Sequence, residues 1–292
     1  MKGEEKLWAI LNEKLDNLRA TNRLPQAIRV AETALEVARR AFKENQTALA
    51  TSFEKLGQLL EQKGDHAGAE AYLLKAHAIL EKGSPPDQRA IYRSARRLAL
   101  LFDSLGQSEE AIDFYQKAIA AGTGVENVPY SDIGTMLNNV ALILRKSGRQ
   151  KAAEPCYLRA LEIYEKQLGP DHADVAPVLN NLAAFYTNER RYTEAEKLHL
   201  RALAIRENLQ PPPIADIAQS KCNLAVVYHS RGHYANAAEL YQSSLKSWEQ
   251  VEDKPSKDYE IVVSNYADLL RSLGQVRKAH QLEVRARKKL AG

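Results

Sequence analysis

The chain has 292 residues, a length that suggests one or two domains for a globular protein. With 27% charged and 45% apolar residues it is expected to pack rather than stay disordered, and 41 basic against 37 acidic side chains is too even for a nucleic-acid footprint. Cys156 and Cys222 form no close-set pair, which argues against a disulfide framework or a zinc site. No apolar run approaches the roughly 20 residues of a membrane span, and the start MKGEEKLWAILNEKL lacks a signal-peptide core, so a cytoplasmic protein is expected.

In chain order, one predicted unit returns every 42 residues, from near Trp8 through Ala50, Tyr92, Gly134, Ala176 and Ala218 to Glu260. The offset is visible on aligning NNLAAFYTNERRYTEAEKLHLRALAI (180–205) with NNVALILRKSGRQKAAEPCYLRALEI (138–163). One column then reads Ala27, Ala69, Ala111, Ala153, Ala195, Ala237, Ala279. A second reads Ala34, Ala76, Ala118, Ala160, Ala202, Ser244, Ala286, and a third Leu15, Gly57, Ala99, Ala141, Ala183, Ala225, Ala267. Small residues at such spacing let two helices approach closely. Gly64, Gly106, Gly148, Gly232 and Gly274 mark the turn between the helices of a unit. Pro85, Pro86, Pro129, Pro170, Pro211, Pro212, Pro213 and Pro255 fall in the linkers between units. Pro25 and Pro177 suit the first turn of a helix, where the missing N–H costs little. Pro155 lies about five residues into a second helix and predicts a local distortion or a late helix start.

The pattern L-x-x-L-A/G-x-x-Y, then G-x-Y-x-x-A, then a large residue and a final A resembles the tetratricopeptide repeat, whose basic unit is 34 residues. The eight extra residues and the linker LGPDHADVAPVLNNLA (168–183) are similar to the 42-residue variety of kinesin light chain. The resemblance spans Trp8 to Gly292, strongest in repeats three to six, and departs from the pattern at Lys14 and Leu15, which replace a Leu–Ala pair, and at Ser244, Glu283 and His199. It implies a single all-α domain over 1–292, a right-handed α-solenoid superhelix of about seven helix–turn–helix repeats. First helices would line its concave side and second helices its outer wall.

With each repeat numbered from its first residue, positions 2, 5, 6, 9, 12 and 13 share one helical face, expected to line the concave groove. Position 6 reads Glu13, Lys55, Arg97, Asn139, Asn181, Asn223, Asn265, and Asn138 and Asn180 precede two of these at position 5. Four successive asparagines form a ladder, and the resemblance implies that such amides pin the backbone of an extended peptide. An amide both donates and accepts, which suits a peptide unit. The alternative is that the ladder bonds neighbouring helices. Repeats one and two place Glu13, Asp16, Glu54 and Glu61 on this face against Arg19 and Lys55. Repeats three and four place Arg93, Arg96, Arg97, Arg145 and Lys146 against Asp103. Such arginines suit carboxylates or phosphate, unless they are only solvated helix faces.

Other candidates carry little. His229 and His233 are four apart, but Gly232 puts a turn between them and no third metal ligand is evident. Cys222 falls at groove position 5, open to solvent if that face is exposed, but lacks a paired base. Tyr115, Tyr157 and Tyr241 share position 24 and are expected to be packing. With no phosphate loop, nucleophile elbow or paired-carboxylate signature, the expected function is a non-enzymatic adaptor without cofactor or metal. It would bind an extended, acidic peptide segment of a protein partner, with no nucleic acid or membrane, as a monomer or weak homo-oligomer. The alternatives are an assembly protein that oligomerises through its convex face or termini, and a regulator that binds a phosphorylated ligand at Arg93, Arg96 and Arg97.

Overall fold

A computed structural model describes residues 3–42, 46–251 and 257–291 of the chain; Pro255 lies outside them. Every element among the described residues is an α-helix, and the helices pair as repeats. The pairs are α1 (Gly3–Ala20) with α2 (Leu24–Ala41), α3 (Gln46–Lys63) with α4 (His66–Glu81), and α5 (Gln88–Ser104) with α6 (Ser108–Gly122). They continue with α7 (Tyr130–Lys146) and α8 (Gln150–Leu168), α9 (Val175–Asn188) and α10 (Tyr192–Glu207), α11 (Ile214–Ser230) and α12 (Tyr234–Val251), and α13 (Lys257–Ser272) and α14 (Val276–Ala291). The fold is an all-α helical-repeat solenoid.

The turn inside each repeat follows from local chemistry. Gly64, Gly106, Gly148, Gly232 and Gly274 all have φ between 73° and 84°, the left-handed conformation that ends a helix. At Gly64 the amides of Gly64 and Asp65 then turn back to the carbonyls of Glu61 (3.0 Å) and Leu60 (2.9 Å). The same column holds Asn22 (φ 55°) and Arg190 (φ 59°), so the backbone repeats where glycine does not. Two helix starts are capped by aspartate: Asp65 accepts from the Gly68 amide and Asp87 from the Ala90 amide, each at 3.0 Å.

Pro25 and Pro177 sit in the first turns of α2 and α9. Pro155 does not delay its helix: α8 starts at Gln150 and continues through the proline to Leu168. The amide that proline lacks would have bonded the carbonyl of Lys151, and both residues are exposed, so water can take over that carbonyl.

The small-residue columns are where the helices meet. All seven alanines of the first column, Ala27 to Ala279, have 0% exposure. Ser244, which interrupts the second column, is buried too and donates to the Ala218 carbonyl at 2.7 Å. A Cβ on Gly57 would stand 2.8 Å from Leu73 Cγ, which explains the glycine in the third column. Tyr115, Tyr157 and Tyr241 are wholly buried, as packing residues should be.

Contacts group the chain into two compact units, Met1–Met136 and Leu137–Gly292. In the first, successive repeats are tied by Trp8 Nε1 donating to Ser52 Oγ (2.8 Å), by Lys55 with Asp16 (3.0 Å) and by Arg97 with Glu61 (3.0 Å). In the second, Glu154 accepts from Tyr186 Oη (3.0 Å) and from Arg191 (2.6 Å), and Glu196, one repeat later, pairs with Arg231. Each second helix packs on the next first helix (α8 on α9, α10 on α11, α12 on α13), and first helices also touch one another, α9 with α11 and α11 with α13. A layer of first helices therefore runs through the second unit.

Candidate functional site

The free face of that layer carries most of the expected contact residues. Asn139, Asn181, Asn223 and Asn265 are all half-buried on it, one per repeat. Beside the first three, at position 9, stand Leu142, Ala184 and Val226, also half-buried, so the floor between these amides is apolar and has its smallest side chain at Ala184. Arg145 is half-buried and Lys146 exposed at the end of α7.

The amides are partly committed to the protein itself. Asn181 Nδ2 donates to Asn138 Oδ1 at 3.0 Å, from position 6 of one repeat to position 5 of the repeat before. Asn265 Nδ2 reaches the Cys222 sulfur at 3.8 Å across the same spacing. Asn223 makes no side-chain hydrogen bond to a described residue. Its position-5 counterpart, Asn180, is only 6% exposed.

Asn180 corrects the sequence expectation: it faces the interior, not the groove. Its Oδ1 accepts from His199 Nδ1 at 2.8 Å and its Nδ2 donates to Ser220 Oγ at 3.1 Å. Arg206 Nη1 continues the chain, donating to the same Ser220 oxygen at 2.7 Å and to the Asp216 carbonyl at 2.8 Å. His199 is 1% exposed, and burial, helped by the nearby Arg206 charge, pushes its pKa down to about 4. Burial also lowers the Arg206 pKa, against the opposing pull of Asp216. The helix turns Asn180 inward because His199 and Ser220 supply both partners a buried amide needs.

Cys222, at the same position in the next repeat, is likewise buried rather than exposed. Burial pushes its thiol up to about 11, so it holds its proton at neutral pH.

The arginines of the first unit are less available than their sequence suggests. Arg97 is paired with Glu61, and Arg96 lies 3.7 Å from Asp132, which also accepts from Tyr92 Oη at 2.6 Å. Only Arg93 of that cluster is fully exposed without an ion pair to a described residue. The position-6 charges Lys55 and Arg97 are thus each neutralised by a carboxylate of the preceding repeat, Asp16 and Glu61. His229 and His233 pack on different rings, Tyr234 at 6.0 Å and Tyr228 at 5.9 Å.

Residues 10–82 and 132–209 match one tetratricopeptide repeat family, and 96–121 and 217–254 match two others of the same description. The chain belongs to the tetratricopeptide repeat family. Among solved structures it is similar to BtubC (BKLC) from P. vanneervenii, at 28% identity over 80% of this chain and 95% of that one, with a TM-score of 0.62. A Podosopora anserina putative kinesin light chain with nearly identical TPR-like repeats shares the fold at 17% identity, over 72% of this chain and 99% of that one, with a TM-score of 0.57. YrrB, described as a TPR protein with an unusual peptide-binding site, aligns at 19% identity over 73% of this chain and 92% of its own, with a TM-score of 0.50. No curated protein matches the chain. The tetratricopeptide repeats therefore resemble those of kinesin light chain, and no described helix is long and apolar enough to cross a membrane.

Against this repeat pattern the buried polar chain stands out in two columns. His199 occupies position 24, where the flanking repeats have Tyr157 and Tyr241. Arg206 occupies the slot of Tyr164 and Trp248. A polar residue in an apolar column was the signal available in the sequence, but its partners come from three helices.

Proposed function

We propose that this tetratricopeptide repeat protein is a non-enzymatic adaptor that holds an extended peptide segment of a protein partner along the first-helix face of residues 137–292. The observation that carries this reading is the row of half-buried amides, Asn139, Asn181, Asn223 and Asn265, over the apolar floor of Leu142, Ala184 and Val226. Each amide can donate to and accept from one peptide unit. The partly exposed apolar side chains between them gain from being covered, and the single methyl of Ala184 lets a ligand backbone come close. Arg145 and Lys146 at the end of α7 favour carboxylates on that segment. Asn180 has no part in contact. A phosphorylated ligand at Arg93, Arg96 and Arg97 is disfavoured, because two of the three guanidiniums already face carboxylates. All seven repeats work as one scaffold, in the cytoplasm, in this reading.

The test is a peptide array with acidic, neutral and basic members, followed by calorimetry of the best binders. Binding should fall about threefold to tenfold for Asn223→Ala, the worth of one hydrogen bond. Arg145→Glu should weaken the acidic members selectively. If the binders are unaffected by both changes, the first-helix face is not where the partner sits.

A further inference from the structure

The charge of this chain is concentrated in one element. Helix α14 carries Arg277, Lys278, Arg285, Arg287, Lys288 and Lys289 against Glu283 alone, a net of +5. The entire chain has a net charge of +4, so everything outside α14 sums to −1. Two of the six cations are engaged: Arg285 and Lys289 both lie 3.1 Å from Glu249 of α12. Glu283 is itself taken by Arg271 of α13. Arg277, Lys278, Arg287 and Lys288 are exposed and have no ion pair to a described residue.

The inward face of α14 is set by Ala279 and Ala286, both buried. On the opposite side lies a shallow hollow lined by His280, Gln281, Val284, Arg285, Lys288 and Lys289. Arg277 stands on the same side as Lys288, eleven residues before it, about 17 Å along the axis at 1.5 Å per residue.

We propose that this face of α14 is a docking surface for an acidic polypeptide segment, separate from the asparagine row. Arg277 and Lys288 share this face, with Lys278 and Arg287 to its two sides; like charges without counterions repel one another, and an array of carboxylates relieves that repulsion. Arginine adds bidentate geometry suited to Glu and Asp. Other occupants fit less well. A second copy stacking as a further repeat would need an apolar flank. Tyr241 and Leu245 of α12 supply one to α13, but the matching residues of α14 are Glu283 and Arg287. A lipid surface would need a broad apolar face, and among the described side chains of α14 only Val276 and Val284 lie outward. A nucleic acid tracks phosphates over a wide basic area, whereas Glu249, Asp268 and Glu283 stand beside this one.

Fluorescence anisotropy tests this with the full chain and three labelled probes. These are a peptide of roughly twelve residues with glutamate at every third or fourth position, to match the helix spacing, a single-stranded oligouridylate, and vesicles containing phosphatidylserine. The peptide should bind, with affinity that falls as salt rises. Arg277→Glu combined with Lys288→Glu should weaken it about tenfold or more by placing like charges opposite the ligand. Both sites are exposed, and circular dichroism will verify that the helix content of the variant is unchanged. Asn223→Ala should leave this binding within about twofold, which separates the α14 surface from the first-helix face. The proposal is overturned if the peptide does not bind, or if charge reversal on α14 leaves its affinity unchanged. It is equally overturned if the oligouridylate or the vesicles bind as tightly as the peptide and lose that binding in the same variant.

Discussion

At the scale of single residues, the asparagine row divides into two kinds. Asn181 and Asn265 give their amide hydrogens to the preceding repeat, and Asn223 does not. Removing Asn181 leaves the Asn138 carbonyl without its donor, so Asn181→Ala should lower stability by about 0.5–1.5 kcal/mol. Asn223→Ala should leave stability within about 0.5 kcal/mol, as is usual for a surface change. Parallel denaturant titrations of the two variants measure the difference; equal losses would mean that Asn223 is structural glue as well. The buried imidazole gives a pH dependence. His199 stays neutral in the fold down to about 4, whereas the unfolded chain takes up the proton below its ordinary value of 6.5. The native state therefore binds fewer protons in that window. The contribution of this site to stability is constant above pH 6.5 and falls on acidification towards pH 4, by up to about 1.4 kcal/mol per pH unit. His77, also lowered by burial, acts in the same sense. Urea midpoints between pH 7 and pH 5 should drop less in His199→Gln, which keeps a hydrogen-bonding partner for Asn180 but cannot titrate.

At the scale of elements, the repeat is enforced by two devices, a left-handed turn residue and a column of alanine. Arg190 adopts φ 59° in the turn between α9 and α10, where five other repeats use glycine. Left-handed backbone costs an ordinary residue about 1–2 kcal/mol, partly offset by the entropy that glycine loses on folding. Arg190→Gly should therefore stabilise the chain by roughly 0.5–1 kcal/mol, and thermal melts of the two proteins are the check. Ala195 is wholly buried between helices. Ala195→Leu forces those helices apart and should cost about 1–3 kcal/mol. A melt unchanged by that substitution would show that the alanine column is not the helix contact.

At the scale of the whole molecule, the chain behaves as a stack in which repeats contact their neighbours, within the units Met1–Met136 and Leu137–Gly292. Stability in such an array is a sum of repeat and nearest-neighbour contributions. A lesion in one unit should then stay local. Ala69→Leu, in α4, is expected to speed amide hydrogen exchange in α3 to α5 and leave α11 to α13 at parental protection. Exchange read by mass spectrometry decides this, and uniform acceleration through α13 would mean that the chain opens as one cooperative block.

The sequence by itself determined the fold, because the repeats share their instructions: alanine where helices meet in all seven, glycine in the turn of five, proline in most of the linkers. Those are local requirements, and seven copies in one register make them legible. It also placed Asn181, Asn223 and Asn265 on a common face, since helical periodicity alone does that. Only the tertiary structure decided which of those groups are spent. Asn180 turns inward because His199 of α10 and Ser220 of α11 meet it there. Arg97 is neutralised because Glu61 of the preceding repeat lies within 3.0 Å. Period and face are properties of one helix and can be read along the chain. The pairing of a polar group depends on which side chains two or three helices bring together, and residues 19 to 40 positions apart carry no sign of that in their order.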